Sequence, residues 1–200
     1  MPRSRDSSPD ERLIDAAREL FAECGVAALS TDRLAKEARV SKASLYKYFG
    51  GKSELFAAII DKDSEEFKIS PDLDFETASE FLNHVIEFGA ALSRLLARPE
   101  IQRMTGAVIN HAGSDPETAQ LYFDRTVETC RKDLTRLIDK GVKRGFVTRD
   151  IPSRRLATHL LSLWEGIDHY RHKLQLKERP KAMSRSVVEE CCRMVLGIDT

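Results

Sequence analysis

Apolar residues recur at three- and four-residue steps along almost the whole chain, and this spacing constrains the fold more than any other feature. Val, Ile and Thr never gather in the alternating runs that build half-buried strands. The sequence therefore predicts an all-α protein. A first helix starts at Ser8-Pro9-Asp10-Glu11, which reads as a capping box with proline in the first turn. Its stripe is Leu13, Ala17, Leu20, Phe21 and Cys24, and Gly25 is expected to stop it. Short helices over 31–38 and 42–49, capped by Ser30 or Thr31 and by Ser41, follow with only Arg39-Val40 between them. After the break at Gly50-Gly51, a helix is predicted from Lys52 or Ser53 to about Phe67.

The stretch Lys68–Asp74, with Pro71, is the most linker-like and sets a domain boundary. Residues 1–67 form one predicted domain and 68–200 the other. The second is expected to hold helices near 75–97, 100–112, 116–144, 153–176 and 181–196. No run of 18 apolar residues occurs, and the polar start MPRSRDSSPDER has no apolar segment behind it. A cytoplasmic protein with no membrane partner is the expectation.

Lys+Arg and Asp+Glu both total 32, so net charge argues neither for nor against a nucleic-acid partner. Distribution is more informative. Between Ser30 and Lys52 the cations Arg33, Lys36, Arg39, Lys42, Lys47 and Lys52 face only Asp32 and Glu37. Such a patch on a neutral protein suits phosphate, although solvated charge clusters are common. The helix Lys42–Phe49 has an outer face of Lys42, Ala43, Ser44, Lys47 and Tyr48 with no carboxylate. Leu34, Ala35, Ala38, Val40, Leu45 and Phe49 supply an inner face, as in a helix-turn-helix. A helical hairpin with incidental lysines would account for the same periodicity.

The segment Leu29–Phe56, LSTDRLAKEARVSKASLYKYFGGKSELF, resembles the DNA-binding signature of the TetR family of regulators. The matching features are Thr31, Leu34-Ala35, Ala38-Arg39-Val40-Ser41, Leu45-Tyr46, Tyr48-Phe49, Lys52 and Leu55, and the likeness extends over about 11–60. The family has Gly in the turn where this chain has Arg39, so an arginine would meet a backbone suited to positive φ. The resemblance implies an N-terminal three-helix DNA-binding domain followed by a helical ligand-binding and dimerisation domain. It implies that Thr31, Tyr46, Tyr48 and Lys52 contact phosphates, and that Lys42, Ala43, Ser44 and Lys47 meet base edges. Arg3 and Arg5 would reach a minor groove or form a solubilising tail.

Residues 99–166 also resemble the C-terminal domain of AcrR-like members. The last two helices are apolar on two faces: Leu156, Leu160, Leu163, Ile167, Tyr170 and Leu174 beside Ala157, Leu161 and Trp164, then Val187, Cys191 and Val195 beside Val188, Cys192 and Leu196. Two apolar faces need two partners, so a homodimer through 153–176 and 181–196 is expected. An effector pocket would draw on Phe88, Leu92, Met104, Val108, His111, Tyr122, Phe123, Val127 and Trp164, residues that ordinary core packing also explains. His169 and His172 lack further ligands, so neither a metal nor a cofactor is expected.

The function these features predict is a transcriptional regulator, a repressor freed from a palindromic operator by a small molecule of unknown identity. Activation is an alternative from the same parts. A thiol redox sensor using Cys130 or Cys191-Cys192 is another, and a helical enzyme pairing His111 with a cysteine is a third that no nucleophile motif supports.

Overall fold

The computed structural model describes residues 8–65, 68–70, 72–173 and 181–198, with 167–173 as helix backbone only. Among the described residues the chain is all helix: α1 (Pro9–Ala28), α2 (Thr31–Ala38), α3 (Lys42–Phe49), α4 (Lys52–Ser64), α5 (Ala78–Leu96), α6 (Pro99–His111), α7 (Pro116–Phe123), α8 (Thr129–Lys143), α9 (Ser153–Lys173) and α10 (Arg185–Leu196). None of these helices is long and apolar enough to cross a membrane.

The chain divides into two compact units, and the division interleaves in sequence. One takes in residues up to 63 together with 100–126; the other takes in 64–99 and 127 onwards. The first unit is organised around Leu13, Ala17, Leu20 and Phe21 of α1, which meet Leu34 and Ala38 of α2, Leu45 of α3, and Leu55, Phe56 and Ile59 of α4. Phe21 and Phe56 pack edge to face with centroids 5.6 Å apart, the arrangement their ring quadrupoles favour. Met104 of α6 is buried in this same core, with Val108, Leu121 and Tyr122 packed against it. That is why 100–126, expected with the C-terminal part, forms part of the first compact unit. Arg103 pairs with Glu19 at 2.9 Å and Arg125 with Asp61 at 2.6 Å on its surface.

In the second unit α5 supplies Phe81, Leu82, Val85, Phe88 and Leu92 to a core shared with Leu134 and Leu137 of α8, Leu156, Leu160 and Trp164 of α9, and Val188, Cys192 and Leu196 of α10. Two glycines permit this closeness. A Cβ on Gly89 would lie 2.6 Å from Trp164 Cε2, and one on Gly141 would lie 2.6 Å from Phe81 Cζ. No side chain fits at either place without displacing an aromatic ring.

Several boundaries differ from the sequence expectation for local reasons. Gly25 takes φ 77° and kinks α1, but helical turns resume to Ala28. α4 ends at Ser64. α5 begins only at Ala78, where Thr77 and Glu80 form a capping box, while Phe75 enters the core from the extended lead-in. The helix expected over 116–144 is interrupted by a π-helical turn at Asp124–Glu128. There the Thr126 hydroxyl donates to the Tyr122 carbonyl at 2.6 Å, a back-bond that competes for a helical acceptor. α9 kinks at Gly166, with φ 68°. α10 starts at Arg185, capped by Ser184, rather than at Lys181.

Candidate DNA-binding site

Helices α2 and α3 have eight residues each, too short to be stable alone, so their form depends on caps and burial. Ser30 Oγ accepts from the Arg33 N–H at 3.1 Å, and Ser41 Oγ accepts from the Ser44 N–H at 3.1 Å. Leu34, Ala35, Ala38 and Leu45 are buried beneath them. Between them Arg39 adopts φ 55° and ψ 44°, the left-handed conformation. The Val40 N–H donates back to the Ala35 carbonyl at 3.0 Å and the Arg39 N–H to the Lys36 carbonyl at 3.1 Å, which closes α2 in the manner of a Schellman motif. The departure from glycine thus leaves the turn intact and strains an arginine. Arg12 of α1 donates from Nε to the Ala38 carbonyl at 3.3 Å and ties this turn to the first helix.

On α3 the exposed residues are Lys42, Ala43, Tyr46, Lys47 and Tyr48, with Ser44 half-buried and Leu45 buried. At about 100° per residue, Ala43 and Lys47 lie opposite the Leu45–Phe49 stripe, while Tyr46 and Tyr48 fall on opposite flanks. Tyr46 is 52% exposed and Tyr48 is 44% exposed, a large amount of aromatic surface for a helix of this size. The Lys47 ammonium lies 5.5 Å from the Tyr48 ring centroid. Ser44 shares a hydrogen bond with Ser41 at 2.9 Å between hydroxyls. Thr31, the first residue of α2, is half-buried at that helix's N-terminus. The expected contact residues other than Lys52 are therefore gathered on α3 and the start of α2.

The cations are less available than their number suggests. Arg33 donates to both carboxylate oxygens of Glu23 at 2.8 Å, and that carboxylate pushes its pKa up from the ordinary value. Lys42 lies 3.1 Å from both oxygens of Asp32. Lys52 is engaged within the protein. Its ammonium donates to the carbonyls of Val26, Ala27 and Leu29 at 3.0, 3.0 and 2.7 Å. An ammonium has three protons, and all three are directed at the C-terminal end of α1 and its exit. Lys52 fastens α4 to α1. Lys36, Arg39 and Lys47 are the exposed cations here with no carboxylate partner among the described residues.

The pocket candidates fall into two groups. Met104, Val108 and Tyr122 pack in the first unit's core, where Tyr122 shares a 2.6 Å hydrogen bond with Thr105. His111 stacks on the kink of α1: a Cβ on Gly25 would come within 2.9 Å of its Cδ2. Beside them is a cavity of about 10 Å³, room for a water and little else. Phe123 is 43% exposed. In the second unit Phe88, Leu92 and Trp164 are core, while Val127 is 44% exposed. Trp164 is fully buried, and its indole N–H has no hydrogen-bond partner among the described residues. Arg3, Arg5 and the side chains of Ile167, His169, Tyr170, His172 and Leu174 lie outside the described residues.

The sequence reading missed the partners that restrain these cations, Glu23 and Asp32. Counting Asp32 as an anion beside six cations was the available signal, and nothing in the spacing showed that it would meet Lys42.

Comparison with known proteins decides what this arrangement is. Residues 13–59 match the family model described as bacterial regulatory proteins, tetR family, and residues 83–198 match that of the AefR-like transcriptional repressor, C-terminal domain. The chain belongs to the TetR family of transcriptional regulators. Among its TetR relatives, the HTH-type transcriptional repressor SCO4008 of Streptomyces coelicolor is 28% identical over 152 residues, 76% of this chain and 74% of that protein. A TetR regulator from Agrobacterium tumefaciens has the same fold, with a TM-score of 0.74 and 25% identity over 96% of this chain and 94% of that one. The flavonoid-responsive regulator FrrA superposes with a TM-score of 0.69 and 26% identity, covering 94% and 93%. As a TetR regulator the chain is a helix-turn-helix DNA-binding protein and not an enzyme, and its second matched region is the helical C-terminal domain of that family.

Proposed function

We propose that the protein is a homodimeric repressor whose two α3 helices read the half-sites of a palindromic operator in successive major grooves. Half-sites about one DNA turn apart, ~34 Å, suit such a dimer. The observation that carries the reading is the exposed face of α3 from Lys42 to Tyr48, which holds two lysines and two tyrosines and no carboxylate. Lys42, Ala43, Ser44 and Lys47 would meet base edges; Thr31, Tyr46 and Tyr48 would donate to phosphates on either side. Repression is favoured over activation because the C-terminal match and the Streptomyces relative are both described as repressors.

The dimer would form through α9 and α10. α10 buries Val188, Cys192 and Leu196 against its own unit and leaves Val187 at 42% and Met194 at 56% exposure, with half-buried Cys191 between them. Apolar residues at steps of four and three on an outward face call for a second surface. An effector would be small and partly aromatic, as the name of the flavonoid-responsive neighbour suggests. Trp164, whose N–H has no partner among the described residues, is a buried polar group in the second unit that an acceptor-bearing ligand would satisfy. Release follows if the ligand prefers a half-site spacing that the operator does not offer.

The thiol-sensor alternative is less favoured. Burial pushes the Cys130 and Cys192 thiols up to about 12, and burial followed by the neighbouring Glu190 raises Cys191. A thiol held protonated is a poor nucleophile. Selection of bound sequences from a genomic fragment library tests the main reading. A two-fold symmetric site is expected, with Ser44→Ala or Lys47→Ala altering the preferred bases and Tyr48→Phe weakening all sequences alike. A non-symmetric site, or base preferences indifferent to α3 substitutions, would overturn it.

A further inference from the structure

Asp32 sits where a DNA-binding protein has least use for a negative charge. It is the second residue of α2, next to Thr31, and its side chain is 76% exposed. A carboxylate there repels the phosphates that the site must approach. Its partner is the first residue of α3. The Lys42 ammonium lies 3.1 Å from both Oδ1 and Oδ2 of Asp32, centred on the carboxylate, and donates to Oδ2, which leaves protons for a further acceptor.

We propose that Asp32 is a specificity-determining residue that positions the Lys42 ammonium for base reading and withholds it from phosphates. The inference rests on α3 being the recognition helix. A lysine carries its charge on a four-carbon stem with several free torsions, and beside DNA an unrestrained ammonium settles on the nearest phosphate. Such a contact strengthens binding to every sequence and distinguishes none. Held against the carboxylate, the same ammonium keeps a fixed position from which its remaining protons are offered. A guanine in the major groove, with acceptors at N7 and O6, is the base edge that fits it. Asp32 also removes one net positive charge from the footprint, which lowers affinity for random DNA. Arg33, taken by both oxygens of Glu23, is restrained in the same way. Selectivity here arises from holding cations back as well as from presenting them.

The test uses the full-length protein with two probes: a randomised duplex library for base preference, and one scrambled duplex titrated across a series of potassium chloride concentrations. Asp32→Asn should bind the scrambled duplex about 2- to 5-fold more tightly, the range an exposed ion pair commands. Its log–log salt slope should steepen by about 0.9, one further phosphate neutralised. In the library, Asp32→Asn should relax the preference at the base pair whose preference Lys42→Met erases, and should leave the others. In a Lys42→Met background, Asp32→Asn should change neither that preference nor the salt slope by as much. If Asp32→Asn keeps the wild-type preference while Lys42→Met loses it, the proposal is overturned and the recognition-helix reading stands. If Lys42→Met keeps every preference, base reading by Lys42 fails and the proposal fails with it. If Asp32→Asn raises affinity for the scrambled duplex equally with and without Lys42, its carboxylate acts by repulsion alone, and positioning is refuted.

Discussion

Replacing Lys52 by methionine separates two roles for one ammonium, tying α4 to α1 and contacting a phosphate. Methionine keeps most of the stem that crosses from α4 to α1 and removes only the ammonium. Three carbonyls then lose their donor, those of Val26, Ala27 and Leu29 at 3.0, 3.0 and 2.7 Å. The contacts to Val26 and Leu29 are partly buried, whereas that to Ala27 is exposed and water replaces it. Hydrogen bonds to a charged group contribute about 1.5–3 kcal/mol each where the partner stays buried. A cation at a helix C-terminus adds about 0.3–1 kcal/mol. Neighbouring bonds are not additive, and partial hydration recovers some of the loss, so a net cost of roughly 2–3 kcal/mol follows. For a chain of this length that lowers the melting temperature by roughly 4–12 °C. The assay is thermal unfolding by circular dichroism without DNA, paired with the salt dependence of binding to a scrambled duplex at a temperature where the variant is folded. The melting temperature should fall and the salt slope should stay as in the wild type. A variant that melts like the wild type and loses about 0.9 from its slope would show that Lys52 spends its charge on phosphate, and the assignment to α1 would be refuted.

Three other substitutions or treatments test the packing. Arg39→Gly should stabilise the protein by about 0.5–1 kcal/mol in urea unfolding, because it relieves a φ of 55° at the cost of some unfolded-state entropy; a loss of stability would mean that the Arg39 side chain supports the turn. Gly89→Ala should destabilise by about 1–3 kcal/mol and shift the emission of the single tryptophan, since its Cβ would lie 2.6 Å from Trp164 Cε2; an unchanged spectrum would contradict that contact. Cys130 and Cys192, held near 12 by burial, should escape alkylation in the native protein at pH 8, as read by peptide mass mapping. Because both thiol values are raised above the unfolded value of 9.0, their contribution to stability is complete below about pH 9 and is lost as pH climbs toward 12. Unfolding midpoints that rise over that window would contradict the assignment.

Much of the DNA-binding unit could be read directly from the sequence because its determinants are local. Ser30 and Ser41 each cap the helix that follows by accepting from the N–H three residues downstream, and the expected bounds of α2 and α3 hold. Arg39 in the turn was visible as a departure from glycine, and the positive φ it must adopt follows from that position. What eluded the sequence is carried by contacts between distant residues. Nothing near Lys52 says that its charge will end on carbonyls 23 to 26 residues earlier. Nothing near Gly25 announces His111, and an apolar stripe on α6 does not record which of two cores it will join. The π-helical turn is different: Thr126 and Val127 sit inside a run whose apolar spacing reads as continuous helix, and a single hydroxyl back-bond accompanies the change of register.

The interleaving of the two units has a consequence for how the protein is made. The first unit needs Met104 and the α7 residues Leu121 and Tyr122 to finish its core. On a ribosome, residues 1–63 emerge well before 100–126 do, by about 3–13 s at common elongation rates. For that interval the nascent helix-turn-helix carries an uncovered apolar flank around Phe21 and Phe56. The stretch that intervenes, 64–99, belongs to the other unit and must remain unsatisfied until residues 127 onwards arrive. A ribosome stalled near residue 70 would hold α2 and α3 on a support that lacks Met104, Leu121 and Tyr122. The order of synthesis thus delays completion of the first unit's core until residues 100–126 have been made.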